Sequence, residues 1–133
     1  PPHVIYDVAD PSTAMSLCIA TFAEKYAAPK GCVLLAEGGG VIGGCVAMRP
    51  VSPAICEMKR LYVRPEMRGQ QLGRQLAERL IAEARAAGYR EMRLDVRARF
   101  LAARQLYADL GFVAAEPVSF NPVPGASFLG LRL

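Results

Sequence analysis

The residues Arg68-Gly69-Gln70-Gln71-Leu72-Gly73-Arg74 set two glycines and two arginines just ahead of a segment with helical periodicity. Leu72, Leu76, Leu80, Ile81 and Ala84 form the apolar stripe of that segment. Free backbone N–H groups converge where a glycine-bearing turn enters a helix. The helix dipole adds partial positive charge there, and the arginines add whole charges. The chemistry this predicts is the binding of a phosphate-bearing ligand.

The elements that must hold this loop can be read outward from it. Upstream, Cys56 to Val63 reads as a strand, with Glu57, Lys59, Leu61 and Val63 on one face and Met58, Arg60 and Tyr62 on the other. Pro65 cannot donate to a ladder and biases Arg64 toward extended geometry, so the strand should stop there. Downstream, the helix should run to Ala87, with Gly88 as its left-handed cap. Met92, Leu94 and Val96 alternate with Arg93, Asp95 and Arg97 as a strand with one polar face. Phe100, Ala103, Leu106, Tyr107 and Leu110 mark a further helix capped by Gly111.

Ahead of the central strand, Val4 to Val8 reads as a strand, and Asp10-Pro11 opens a helix that Pro29 and Gly31 close. Cys32 to Ala36 and Val41 to Met48 form a hairpin around Gly38-Gly39-Gly40, with Gly43-Gly44 marking a bulge or a close backbone approach. Phe112 to Ala115 and Ser127 to Leu133 are the last strands, separated by the proline-rich loop Pro117 to Gly125. The order β-α-β-β-β-α-β-α-β-β predicts an α/β fold: a mixed sheet with helices on both faces.

With 133 residues, the chain fits one domain, residues 1–133, and is too short for two. Hydrophobic residues make up 53% and charged residues 21%, which excludes a disordered chain. No apolar run reaches bilayer-spanning length and no secretory leader pattern opens the chain, so no membrane partner is expected. The start at Pro1, without Met, leaves room for trimmed or omitted N-terminal sequence. A net charge of +4 fits a polyanionic cofactor as well as nucleic acid. Without aromatic interleaving or a recognition motif, nucleic acid is disfavoured. Cys18, Cys32, Cys45 and Cys56 form no C-x-x-C pair and His3 is the single histidine, so free thiols, no metal site and a cytoplasmic location are expected.

The run L-Y-V-R-P-E-M-R-G-Q-Q-L-G-R-Q-L, followed by A-A-R-Q-L-Y-A-D-L-G-F at Ala102 to Phe112, resembles the Gcn5-related N-acetyltransferase (GNAT) superfamily. The resemblance covers Cys32 to Phe112, and Asn121 to Gly125 is similar to a loop of some bacterial members. It departs from the family pattern at Gln71, which stands where the phosphate motif has its first glycine, and at Phe100, where many members carry Asn.

The resemblance implies a splayed central sheet and direct transfer of an acetyl group from acetyl-coenzyme A to a primary amine of a small molecule or protein. It also implies coenzyme contacts by the backbone of Leu61 and Val63 and by the loop Arg68, Gly69, Gln70, Gln71, Leu72, Gly73 and Arg74. Tyr107 takes the position of the acid that protonates the leaving thiolate, and Glu57 that of the base for the amine. Presenting a lysine-like amine neutral at pH 7 costs roughly 4–5 kcal/mol, which gives such a base its use. Glu57 also has a plain alternative, as an ion-pair partner of Lys59 or a neighbouring arginine. A homodimer is left open by the family's terminal strands and helices. The alternative function is a catalytically silent acyl-coenzyme A sensor, motivated by a compact N-terminus.

Overall fold

The computed structural model describes residues 4–7, 30–118 and 125–133. The helix expected from Asp10, Cys18, and most of the loop from Pro117 to Gly125 lie outside the described residues. Seven strands form one sheet: β1 (Val4–Asp7), β2 (Cys32–Gly38), β3 (Val41–Pro50), β4 (Ile55–Val63), β5 (Glu91–Val96), β6 (Val113–Ala114) and β7 (Ser127–Arg132). Their order across the sheet is β1-β2-β3-β4-β5-β7-β6. Only the β4–β5 pair is parallel, as the intervening crossover helix α1 (Leu72–Ala86) requires. A second helix, α2 (Leu101–Asp109), follows β5.

The apolar stripe of α1 packs as its spacing dictates. Leu72, Leu76, Ala77, Leu80, Ile81 and Ala84 are all buried, against Val46 and Met48 of β3, Cys56 and Met58 of β4, and Met92 and Leu94 of β5. The alternation in β5 buries Met92, Leu94 and Val96 on this same face. Helix α2 lies on it too: a Cβ added at Gly111 would sit 3.4 Å from Leu131 Cδ1, and Leu131 pairs with Met92. The described helices therefore share one face of the sheet, and the helix expected from Asp10, which the two-sided layering also counted, lies outside the described residues.

Two irregularities shape the central strands. In the β2–β3 pairing Ala36 faces Gly44 and Glu37 faces Ile42, so Gly43 is the extra residue of a bulge, as its glycine pair anticipated. In the β3–β4 pairing Ala47 faces Lys59 and Cys45 faces Tyr62, which leaves an extra residue in β4 around Arg60. Arg60 has φ +62°. This second bulge reverses the side-chain parity of β4. Met48 faces Met58 and Gly44 faces Val63, so Met58 and Val63 share the helix-bearing face. Arg49 faces Glu57, so Glu57, Lys59 and Tyr62 share the other. The expected single face of Glu57, Lys59, Leu61 and Val63 is thus broken at Arg60. The alternation rule holds on each side of the bulge but not across it.

Gly44 stands where β3, β4 and α1 meet. A Cβ there would lie 2.9 Å from both Leu76 Cδ1 and the Tyr62 carbonyl oxygen, and the backbone oxygen cannot yield cheaply. Gly44→Ala is expected to destabilise the fold by about 1–3 kcal/mol. Equilibrium urea unfolding checks this as a lowered midpoint with unchanged slope.

Candidate active site

The ladder between β4 and β5 comprises three residue pairs, Ile55–Glu91, Cys56–Met92 and Glu57–Arg93, and then the strands part. From Met58 onward β4 stays with β3, whereas β5 stays with β7 through Val96–Ser127. The fork between them opens into a cavity of about 640 Å³. Its walls are Met58 to Val63 of β4, Leu94 to Arg97 of β5, the turn and helix start from Met67 to Arg74, and Phe100, Ala103, Leu106 and Tyr107 beside and along α2.

One edge of β4 faces this fork without a partner strand. The Arg64 N–H donates to the Gly43 carbonyl of β3 at 2.8 Å. Successive residues of an extended strand turn their amides to opposite edges, so those of Val63 and Leu61 turn toward the fork. Both residues line the cavity, as expected.

At the mouth of the fork, Pro65–Met67 forms a 3-10 turn and α1 begins at Leu72 without a side-chain cap. Its first backbone bond runs from the Gln75 N–H to the Gln71 carbonyl at 3.0 Å. The amides from Gly69 to Arg74 donate to no acceptor among the described residues. Gly69 has φ +82° and Gln71 φ +64°, left-handed conformations of the kind that build anion-binding concavities from successive amides. Gln71 keeps the loop in the left-handed shape that a glycine would adopt without strain; a non-glycine residue there costs about 1–2 kcal/mol. Gly73 has no such demand on it. A Cβ there would make ordinary contacts, 3.6 Å from Val63 Cγ2 and 3.9 Å from Leu106 Cδ2. Its missing side chain leaves open space on the cavity side.

Among the lining residues Lys59, Arg60, Arg68, Arg74 and Arg97 are cations and Asp95 is the acid, a balance that favours an anionic ligand. Arg68 is fixed by its Nε donating to the Val63 carbonyl at 3.0 Å, and its guanidinium lies 5.8 Å from the Tyr62 ring centroid. Of the residues expected at a coenzyme, Arg68, Gly69, Gln71, Leu72, Gly73 and Arg74 line the cavity. Gln70 lies in the exposed loop beside it.

Tyr107 and Glu57 have separate fates. Tyr107 lines the cavity from α2, is 7% exposed, and sits edge-on to Phe112 with centroids 5.7 Å apart. Burial, seconded by the Asp95 carboxylate, pushes its phenol up to about 12, so it carries its proton at neutral pH. Glu57 is fully buried and does not reach the cavity wall. Arg49 Nη2 lies 2.6 Å from its Oε1, and Lys59 Nζ lies 3.5 Å from its Oε2. Lys59 Nζ also meets Asp95 Oδ1 at 3.6 Å. This chain of charges crosses the fork where the ladder ends. The alternation in β5 put Asp95 on a polar face, but its pairing across the gap had no signal in local sequence.

Cys32, Cys45 and Cys56 are free thiols. Burial raises all three, Cys56 to about 12, so they stay protonated and pack rather than attack. A second cavity of about 450 Å³ opens beside the fork, lined by Leu35, Ile42, Cys45 and Tyr62 with Arg64 and Glu66 at its rim. Tyr62 lines both cavities. Among the described residues no helix is long and apolar enough to cross a membrane.

The site is thus a fork in a mixed sheet, with unpaired strand edge inside and amides without acceptors among the described residues at its mouth. The chain belongs to the acetyltransferase (GNAT) family, whose model matches residues 3–112, and is an acetyltransferase of that family. It is 42% identical over 112 residues to an uncharacterized N-acetyltransferase of Schizosaccharomyces pombe, spanning 83% of this chain and 69% of that one. A protein of Klebsiella pneumoniae provisionally named an acyl-CoA N-acyltransferase superposes with a TM-score of 0.77 at 28% identity, over 98% of this chain and 97% of that one. A GNAT acetyltransferase of Elizabethkingia anophelis, solved with acetyl-CoA bound, shares the fold with a TM-score of 0.72 at 20% identity, over 98% of each chain.

Two outcomes test this geometry. Gln71→Gly is expected to stabilise the protein by about 0.5–1 kcal/mol, and Gln71→Val to destabilise it by at least about 1 kcal/mol, in denaturant titrations. For Tyr107, the folded phenol lies above its ordinary unfolded value near 10. Its contribution is therefore full below about pH 10 and lost as pH rises toward 12. Tyr107→Phe should flatten this alkaline loss by about 2–3 kcal/mol, measured as unfolding free energy against pH.

Proposed function

We propose that this protein transfers an acetyl group from acetyl-coenzyme A directly to a primary amine. The observation that carries the reading is the fork, where unpaired β4 edge and amides without acceptors among the described residues share one cavity with a buried, protonated tyrosine. The pantetheine arm runs along β4 and pairs with the backbone of Leu61 and Val63 as a short added strand. The pyrophosphate meets the amides from Gly69 to Arg74, with Arg68, Arg74 and the dipole of α1 supplying positive charge.

Transfer then needs three provisions. The carbonyl oxygen gains charge as the amine adds to it, and the Val63 N–H stabilises that oxyanion. The departing thiolate takes a proton from Tyr107, whose phenol is held protonated by its burial. The acceptor must give up protons. The role expected of Glu57 needs a path to the cleft, and Lys59 stands on that path. Glu57 in this reading anchors Lys59 and Arg49 at the base of the fork. The buried free thiols fit a reducing compartment, and the cytoplasm is the location proposed.

Calorimetric titration with acetyl-coenzyme A, and with dephospho-coenzyme A as comparator, tests the cleft. Micromolar binding that weakens without the 3′-phosphate is the expected result, and absence of binding overturns the proposal. Tyr107→Phe is expected to lower kcat about 100-fold while Kd for acetyl-coenzyme A stays within about twofold. Equal turnover by the variant removes Tyr107 from the acid role. Tight coenzyme binding without turnover of any amine makes the protein a silent acyl-coenzyme A sensor instead.

A further inference from the structure

We infer that Asp95 is the carboxylate that receives the proton of the acceptor amine, and that the amine enters the fork from the sheet face opposite α1 and α2. The inference rests on the acetyl transfer proposed above.

Strand parity places the group. Leu94 and Val96 are buried beneath the helices, which turns Asp95 to the far face with Glu91 and Arg93. The last rung of the β4–β5 ladder is Glu57–Arg93, so the next residues along, Lys59 and Asp95, stand opposite each other across the first gap of the fork. Their ion pair at 3.6 Å holds the carboxylate there. Asp95 lines the cavity and Glu57 does not. Among the groups near Asp95 are Lys59 of β4, in its ion pair, and the Tyr107 phenol of α2, which its charge reaches, while its β7 partner Phe128 is uncharged. Arg97 follows on the same wall of the cavity.

Tyr107 and Asp95 thus reach one cavity from opposite faces of the sheet. An acyl carbon in the fork has a proton donor on one side and a proton acceptor on the other. That is the arrangement needed when the leaving group departs on one side and the nucleophile arrives on the other. An acceptor arriving as an ammonium first loses one proton to solvent by way of Asp95. The amine lone pair then forms the C–N bond at the thioester carbonyl carbon, and the N–H proton of the adduct passes to the Asp95 carboxylate. The C–S bond breaks and the thiolate takes the phenolic proton of Tyr107. Solvent exchange returns the Asp95 proton to the tyrosinate. Ammonium and thioester become amide, thiol and one released proton. The apolar cavity of Leu35, Ile42, Cys45 and Tyr62 opens on this far face, which directs the choice of probes toward amines with an apolar body.

The test measures acetyl-coenzyme A consumption by the wild-type chain with benzylamine, tryptamine and spermidine, from about pH 7 to about pH 9. The best acceptor is then carried to the variants. Asp95→Asn is expected to lose about 100-fold in kcat/KM near pH 7. The loss should narrow toward pH 9, where a larger fraction of the amine is already neutral, with acetyl-coenzyme A affinity within about twofold of wild type. Asp95→Glu, which keeps the carboxylate, should recover most of the rate. Should Asp95→Asn unfold by taking from Lys59 one of its two acidic partners, the double variant Asp95→Asn/Lys59→Met carries the same test. A deficit that is absent, or equal at every pH, overturns the assignment of Asp95 alone. Failure of wild type to consume any amine despite binding acetyl-coenzyme A overturns the proposed transfer, and Asp95 with it.

Discussion

The site depends on a parallel pairing that stops after three rungs. Beyond Glu57–Arg93 strand β4 stays with β3 and β5 with β7, and the two part from each other. The cost of leaving strand edge unpaired is that of any backbone polar group without a partner. A fork in a sheet therefore calls for a ligand that supplies backbone-like donors and acceptors, or for water. The amides at the start of α1 add to this demand at the mouth of the same cavity. An extended molecule with amides along its length and phosphates at one end answers both.

Charge and strain are distributed around that opening in a consistent way. The two left-handed non-glycine residues, Arg60 and Gln71, lie on the two sides of the cleft, in the bulge of β4 and at the start of α1. Each carries about 1–2 kcal/mol of backbone strain, which the surrounding core must outweigh. The fully buried Leu34, Met48, Leu76, Leu80, Met92 and Leu94 supply that core directly beneath the fork. At its base, Arg49, Glu57, Lys59 and Asp95 alternate in sign across β3, β4 and β5. Glu57 is the fully buried member, so removing its cations would leave an uncompensated charge where the strands part.

Much of this was legible in the chain. The periodicities of α1 and β5, the hairpin at Gly39-Gly40, the bulge at Gly43 and the loop from Arg68 to Arg74 all announce themselves through residue types that fit one local conformation well. The bulge at Arg60 did not. Arginine carries no turn signal, and an uninterrupted alternation from Glu57 to Val63 reads as one regular strand. Its consequence was large, because it moved Leu61 and Val63 to the helix-bearing face and left Glu57 on the other. Glu57 itself stays off the cavity because it sits on the last closed rung, opposite Arg93, where the strands have not yet parted.

The order of the described elements, the apolar faces and the glycine-bearing loop before α1 could all be read from the residues alone. Each follows from short-range periodicity, from glycine placement or from charges close together in the chain. Which carboxylate meets the cavity was decided only by tertiary structure. Lys59 and Asp95 are joined by the register of two strands that a whole helix separates in sequence. Register across a crossover is set by the packing of α1 against three strands at once, and no local pattern encodes it.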